Sequence, residues 1–334
     1  MEQGLSRDGR LVFVERREAG LAEAIRRCLQ GSGILRRIVE GSRIALKPNL
    51  TYPYFKPGVT TSPEVVREVL RVLRKLTKNI AIVETGGGYG AWSVAEAFRG
   101  HGLDEIAREF GVELVNLCAE PSESITFRCG GRERQLPLPV RLLHGTDVFI
   151  TMPVPKIHGM TGVSLAYKNQ WGCIPDTMRL RRHCLFDDAI VAVNRALKPV
   201  VLADGTYFLD GNGPMEGEPV KMNLIIGASD PGAFDRYVSD LMGVPWQKVP
   251  HLRRAAELGD MPASLAEIKF NMPLEAFRTK RFRLKRTLRN WIALTGFKSR
   301  FITWLGYESW FGRKILHGIL YAIAGPNVPP RPES

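Results

Sequence analysis

The chain has 334 residues, 44% of them hydrophobic, and a formal charge of +13 from 47 basic and 34 acidic side chains. That is enough chain to bury a large core and to divide into two domains. Its five cysteines, Cys28, Cys118, Cys129, Cys173 and Cys184, include no Cys-x-x-Cys pair, which excludes a sequence-evident zinc ribbon or ferredoxin cluster, and the odd count argues against a disulfide scaffold.

Met1 to Arg10 is polar and lacks the apolar core of a signal peptide, so a cytoplasmic, reducing location is expected. Arg43 to Asn49 reads as a buried strand ending on Lys47-Pro48-Asn49, where proline forces the chain to turn. Ser62 and Pro63 mark a helix start, with Ser as N-cap and Pro at the first helical position. Val66, Val69, Leu70, Leu73 and Leu76 then line one face at helical spacing. Ile80 to Glu84 is a short strand, followed by Thr85-Gly-Gly-Gly-Tyr-Gly and a helix from Ser93. The glycine loop matches neither the dinucleotide spacing nor a Walker loop. Its glycines more simply let the backbone approach a ligand or a second domain. Val112 to Leu117 and Ile125 to Cys129 are further strands near a domain boundary.

The second half repeats the alternation. A strand from Asp147 to Met152 leads into Lys156–Gly172, which concentrates Lys156, His158, Thr161, Ser164, Lys168 and Asn169. Polar, titratable residues after a strand and before a helix are where α/β proteins place chemistry. If Thr161 to Trp171 is helical, Thr161, Ser164 and Lys168 share one face. A helix from about Asp187 to Leu197 precedes a strand from Pro199 to Asp204, a turn-rich loop from Asp210 to Gly217, a strand from Met222 and a helix opening at Pro231. The expected fold is therefore α/β, with two domains of mainly parallel sheet covered by helices. The divisions fall at residues 1–130, 131–262 and 263–334, the last a basic, aromatic-rich helical extension.

The charge is concentrated in that extension. From Arg278 onward there are twelve basic and two acidic residues, against 35 and 32 in the preceding 277. Lys280, Arg281, Arg283, Lys285, Arg286, Arg289, Lys298 and Arg300 interleave with Trp291, Phe297, Phe301, Trp304, Trp310 and Phe311. Such a pattern over 278–325 suits a helix lying in a membrane interface. Its longest apolar run, Ile315 to Ala324, is interrupted by His317 and Gly318 and is shorter than the ~20 residues a spanning helix needs. Packing on the body or in a homo-oligomer is the second reading, and nucleic-acid binding, without a recognisable motif, the third.

Several of these pieces resemble, in order, the domain of unknown function family 362. They are Lys47-Pro48-Asn49, Thr60 to Val66, Glu84 with its glycines, Lys156-x-His158 with Thr161 and Ser164, Lys168-Asn169 with Gly172, Asp204-Gly205, Asn212-Gly213-Pro214 with Gly217, and Asp235. The resemblance covers roughly residues 40 to 243. Many members look like iron–sulfur proteins through a ferredoxin-type Cys-rich segment. This chain has no such Cys cluster, so no iron–sulfur cluster is expected of it.

The residues support a cleft between domains that binds a small anion, a carboxylate or phosphate, with a lipid-linked molecule among the options. Lys47, Lys156 and Lys168 would hold the anion, and Asn49, Thr161, Ser164, Asn169 and Asn212 would orient it. His158 with Glu84 or Asp204, beside Lys156 and Lys168, would carry acid–base chemistry of isomerase or oxidoreductase type. Glu84, His158, His183 and Asp204 are candidate ligands for a divalent metal. The alternative is a non-catalytic, membrane-peripheral protein that binds a ligand or metal or assists assembly.

Overall fold

A computed structural model describes residues 9–286, 288, 290, 291, 294 and 299–316. Strands are β1 (Arg10–Arg16), β2 (Ile44–Pro48), β3 (Ile80–Glu84), β4 (Glu113–Asn116), β5 (Ser122–Cys129), β6 (Arg132–Pro139), β7 (Val148–Met152), β8 (Lys156–His158), β9 (Gly162–Ser164), β10 (Val200–Asp210), β11 (Glu218–Ala228) and β12 (Ile268–Phe270). Helices are α1 (Leu21–Gly31), α2 (Pro63–Leu73), α3 (Val94–Gly100), α4 (Leu103–Phe110), α5 (Val140–Leu143), α6 (Ala166–Asn169), α7 (Phe186–Leu197), α8 (Pro231–Leu241) and α9 (Pro250–Glu257).

The protein is α/β, built on a large, mainly parallel sheet flanked by helices. Its strand order is β12-β1-β11-β10-β7-β2-β3-β4, with β8 joined to β10 and β9 to β8. Pairs β2–β3, β2–β7, β3–β4 and β10–β7 are parallel, while β11 runs antiparallel to both β10 and β1. The division drawn at 130/131 runs between strands that lie side by side, since β7 pairs with β2 and β1 with β11. Alternate residues point to opposite faces of a strand. Ala45, Val83 and Phe149 thus join one buried cluster with α7, α8 and α9, and Leu46, Ile82 and Ile150 join another with α1 to α4. The hairpin β5–β6 forms a separate two-stranded sheet.

Local chemistry sets the helix starts. Pro63 opens α2 as its spacing predicts, but the Ser62 side chain makes no capping bond. The Asp204 carboxylate accepts from the Ser62 backbone N–H at 2.8 Å instead. Ser93 and Glu96 form a full capping box on α3, and Asp230 caps α8 by accepting from the Ala233 N–H.

Two expectations are corrected. Thr161 to Trp171 is not a helix: Gly162–Ser164 is a strand folded back on Lys156–His158, with Lys156 opposite Ser164. Gly162, at φ +82, takes the left-handed conformation glycine favours, and the β-branched Val163 and the apolar Leu165 are buried in the core. Helix begins only at Ala166. Second, β10 does not end at Asp204 but continues to Asp210 as a hairpin arm with β11, through a bulge between Gly205 and Tyr207. Any side chain at Gly205 would meet the Leu224 carbonyl oxygen at 2.8 Å, so the close pairing needs glycine there.

The start of the extension packs on the body. Leu274, Phe277 and Phe282 are buried, Phe282 donates its N–H to Met242, and Lys285 donates to Gly211. Further along, Phe301, Trp304, Trp310 and Phe311 are exposed. Arg289, Phe297, Lys298 and residues 317–325, including the apolar run to Ala324, lie outside the described residues. Among the described residues, no helix is long and apolar enough to cross a membrane.

Candidate functional site

The ends of β2, β3 and β7, the β8–β9 hairpin and the short α6 converge at the carboxyl edge of the sheet. Lys47, almost fully buried, places its Nζ 2.8 Å from Glu84 Oε2. Glu84 Oε1 accepts from the Thr85 N–H at 2.9 Å, so both carboxylate oxygens are engaged. Gly172 makes the pair possible: a Cβ there would lie 3.0 Å from Lys47 Nζ and 3.2 Å from Glu84 Oε1. Asn169 joins the same construction, donating to Thr151 Oγ1 at 2.7 Å and to the Lys47 carbonyl at 3.4 Å. Thr151 donates to Gln170 Oε1, and Gln170 donates to Asn194 Oδ1. This chain of buried polar groups ties β2, β7, α6 and α7 together.

Lys156 has no exposed surface and donates its ammonium to the Val59 carbonyl. Burial, with the charge of Lys168 second, pushes its pKa well below the usual lysine range. His158, 4% exposed, accepts at Nδ1 from the Met160 N–H at 3.1 Å and more weakly from the Thr161 N–H at 3.4 Å. An imidazole that accepts at Nδ1 carries its proton on Nε2. Burial first, then Lys168, His183, Lys156 and His251, holds His158 well below the usual histidine pKa, so it is neutral. Thr161 spends its hydroxyl on the Val163 carbonyl.

Lys168 differs from the other two lysines. It is partly exposed, and its ammonium has no hydrogen bond or ion pair among the described residues. Burial, then the charges of Arg179 and Lys47, lowers its pKa to about 8. Arg179, from the 3₁₀ turn Arg179–Leu185, donates to the carbonyls of Gly86 and Asp176. His183 on that turn packs edge-on to Trp171 at 5.3 Å and stacks on Phe186 at 5.6 Å.

The structure gathers Lys47, Glu84, Lys156, His158, Ser164, Lys168, Asn169 and His183 around this edge. Around the same edge Asp204 and Asn49 are engaged in contacts of their own, and Asn212 lies beside Gly159, next to His158. Asp204 Oδ1 accepts from Thr206 N–H and Oγ1, and Oδ2 holds the start of α2. Asp204 also lines a polar cleft of about 440 Å³ with Arg17, Glu64 and Lys221. Asn49 Oδ1 closes an Asx turn onto the Thr51 N–H. Asn212 lies by Gly159, its Oδ1 buried and unpaired. The metal set is corrected too: among the described residues no three His, Cys, Asp or Glu gather to hold an ion. Glu84 is committed to Lys47, and Asp204 to Ser62 and Thr206. Sequence reading missed Arg179, Thr151, Gln170 and His251. His251 stands alone in Pro-His-Leu, with no local pattern to mark it.

Fold and site together define an α/β protein with a lysine- and histidine-rich edge at the carboxyl ends of parallel strands. The chain belongs to the family described as "Domain of unknown function (DUF362)", which matches residues 44–240. A thylakoid-associated protein of Synechocystis sp. is 26% identical over 269 residues, covering 76% of this chain and 79% of that protein. A crystal structure of a Thermotoga maritima protein is similar at 14% identity, with a TM-score of 0.39 over 64% of this chain and 55% of that one.

Proposed function

We propose that the carboxyl edge binds a small anionic molecule, a carboxylate or phosphate, and carries out acid–base chemistry on it of isomerase or oxidoreductase type. The observation that carries this reading is Lys168. Of the three lysines expected to hold the anion, Lys47 is matched by Glu84 and Lys156 is capped by a carbonyl, whereas Lys168 is unpaired among the described residues. A lysine near pKa 8 is mostly charged at neutral pH yet gives up its proton readily, and the neutral His158 beside it offers an Nε2–H. Proton handling thus falls to Lys168 and His158, with Glu84 positioning Lys47. Calorimetric titration of the full-length protein with acetate and with inorganic phosphate tests this. Lys168→Met should weaken the bound anion at least about tenfold, the worth of one charge-assisted hydrogen bond. Equal affinity in the variant, or no binding by wild type, defeats the reading.

A second reading concerns the extension. Phe301, Trp304, Trp310 and Phe311 are exposed next to cationic residues, the composition of an interfacial anchor. The relative's thylakoid association is compatible with peripheral attachment of this chain, and attachment would bring a lipid-linked substrate within reach. The homo-oligomer alternative uses the same surface, and nucleic acid is the least favoured partner. Flotation with vesicles of phosphatidylglycerol should retain wild type and release Trp304→Ser/Trp310→Ser. Truncation near Met272 is unsuitable, because it removes the buried Leu274, Phe277 and Phe282.

A further inference from the structure

Behind Lys168 the fold leaves polar groups unspent. His251, on α9, has no exposed surface, and neither ring nitrogen has a hydrogen-bond partner among the described residues. Trp171, 4% exposed, leaves its Nε1–H without an acceptor among the described residues. Buried polar atoms are nearly always paired, because an unpaired one gives up its bonds to water for nothing. The two residues share one wall. Phe186 packs edge-on to both, at 4.8 Å from Trp171 and 5.4 Å from His251 between ring centroids. Val249, two residues before His251, lies against Gly162 of the β8–β9 hairpin, 3.4 Å from where a Cβ would stand. The wall therefore backs directly onto the segment that carries His158 and Lys168.

We infer that this wall is the deep end of the site, where the Trp171 indole N–H and His251 join Lys168 and His158 in holding the carboxylate of a small organic acid. The inference rests on the anion-binding reading above and names a class within it. The donors fit: the indole can only donate, the Lys168 ammonium can only donate, and His158 presents Nε2–H because its Nδ1 is taken. The charge fits as well. Lys47 is balanced by Glu84, and Arg181 and Arg182 share Asp176. Arg179 faces two carbonyls. His251 stays neutral, since burial and then Lys168 lower its pKa to about 3. Among the described residues neither Lys168 nor Arg179 has a carboxylate hydrogen-bonded to it, so the place favours an anion, and the two oxygens of a carboxylate match the few single donors around the ammonium, the indole N–H, the His158 Nε2–H and one ring N–H of His251. The unspent His251 costs stability, so an apolar residue of similar size should recover some of it while harming binding, the trade-off expected of a ligand site.

The test follows the indole ¹H–¹⁵N signal of Trp171 in the full-length protein, assigned by its loss in Trp171→Phe, during titration with acetate and separately with phosphate. Acetate should move that signal saturably. Trp171→Phe and His251→Leu should each bind acetate at least about tenfold more weakly, and His251→Leu should melt no lower than wild type. If Lys168→Met loses acetate while the indole stays still and both wall variants bind normally, the deep end is wrong and the anion reading survives. Tighter binding of phosphate than acetate overturns the carboxylate class. No anion binding by wild type removes both readings. Should His251→Leu fail to fold, the wild-type indole signal decides alone.

Discussion

On the β2–β3 side of the site, Lys47 pairs with Glu84, and Asn169, Thr151, Gln170 and Asn194 hand hydrogen bonds to one another. On the α6–α9 side, the Lys168 ammonium, the Trp171 indole N–H and the His251 ring nitrogens have no hydrogen-bond partner among the described residues. The residue types are alike, and the difference lies in whether a partner stands opposite. A buried cation with a carboxylate beside it is architecture, because removing either member strands the other. A cation or imidazole with nothing opposite keeps its free energy available for a ligand.

The largest test of this contrast is in the lysines. Lys47→Met should destabilise the protein by about 3–5 kcal/mol, because it leaves Glu84 charged and buried. Lys47→Met/Glu84→Met should recover most of that loss. Lys168→Met should not destabilise the protein, since it strands no partner among the described residues and removes a cation whose burial lowers its pKa to about 8. Denaturant unfolding of the four proteins measures all three. A Lys168→Met penalty as large as that of Lys47→Met would erase the contrast.

A smaller effect should appear in the pH dependence. Burial lowers the pKa of His251 to about 3 and of His101 to about 4, and holds His158 well below its usual value. For a histidine whose folded pKa is depressed, the unfolded chain takes up the proton first. Stability is therefore full above the unfolded pKa of about 6.5 and falls as pH drops below it, by up to about 1.4 kcal/mol per pH unit for each such group. Between pH 6 and pH 4.5, His251→Leu should lose stability less steeply than wild type by about that slope. Parallel curves for the two proteins would show that His251 is not held neutral.

Much of the framework was legible because it depends on local periodicity. The strands at Ile44, Ile80 and Val148 and the helices at Pro63, Ser93 and Pro231 follow from apolar runs, proline and capping residues, all within one turn or one strand of each other. The segment Lys156–Gly172 also stands out by its concentration of polar and titratable residues. Its conformation was not legible, because Thr161, Gly162 and Ser164 suit a hairpin or a helix start until Lys156 pairs across from Ser164.

The sequence alone determined the α/β alternation, the basic extension and the list of titratable residues at strand ends, since each is a property of neighbours along the chain. Only the tertiary structure decided which of those residues are used up and which are left over. Asp204 became the anchor of α2, Glu84 the partner of Lys47, and Lys156 a donor to Val59, through contacts spanning 142, 37 and 97 residues. Lys168 and the unmarked His251 kept no partner among the described residues. Pairing of buried charge depends on which groups come within hydrogen-bond reach, and that distance is set by the packing of the sheet and its helices.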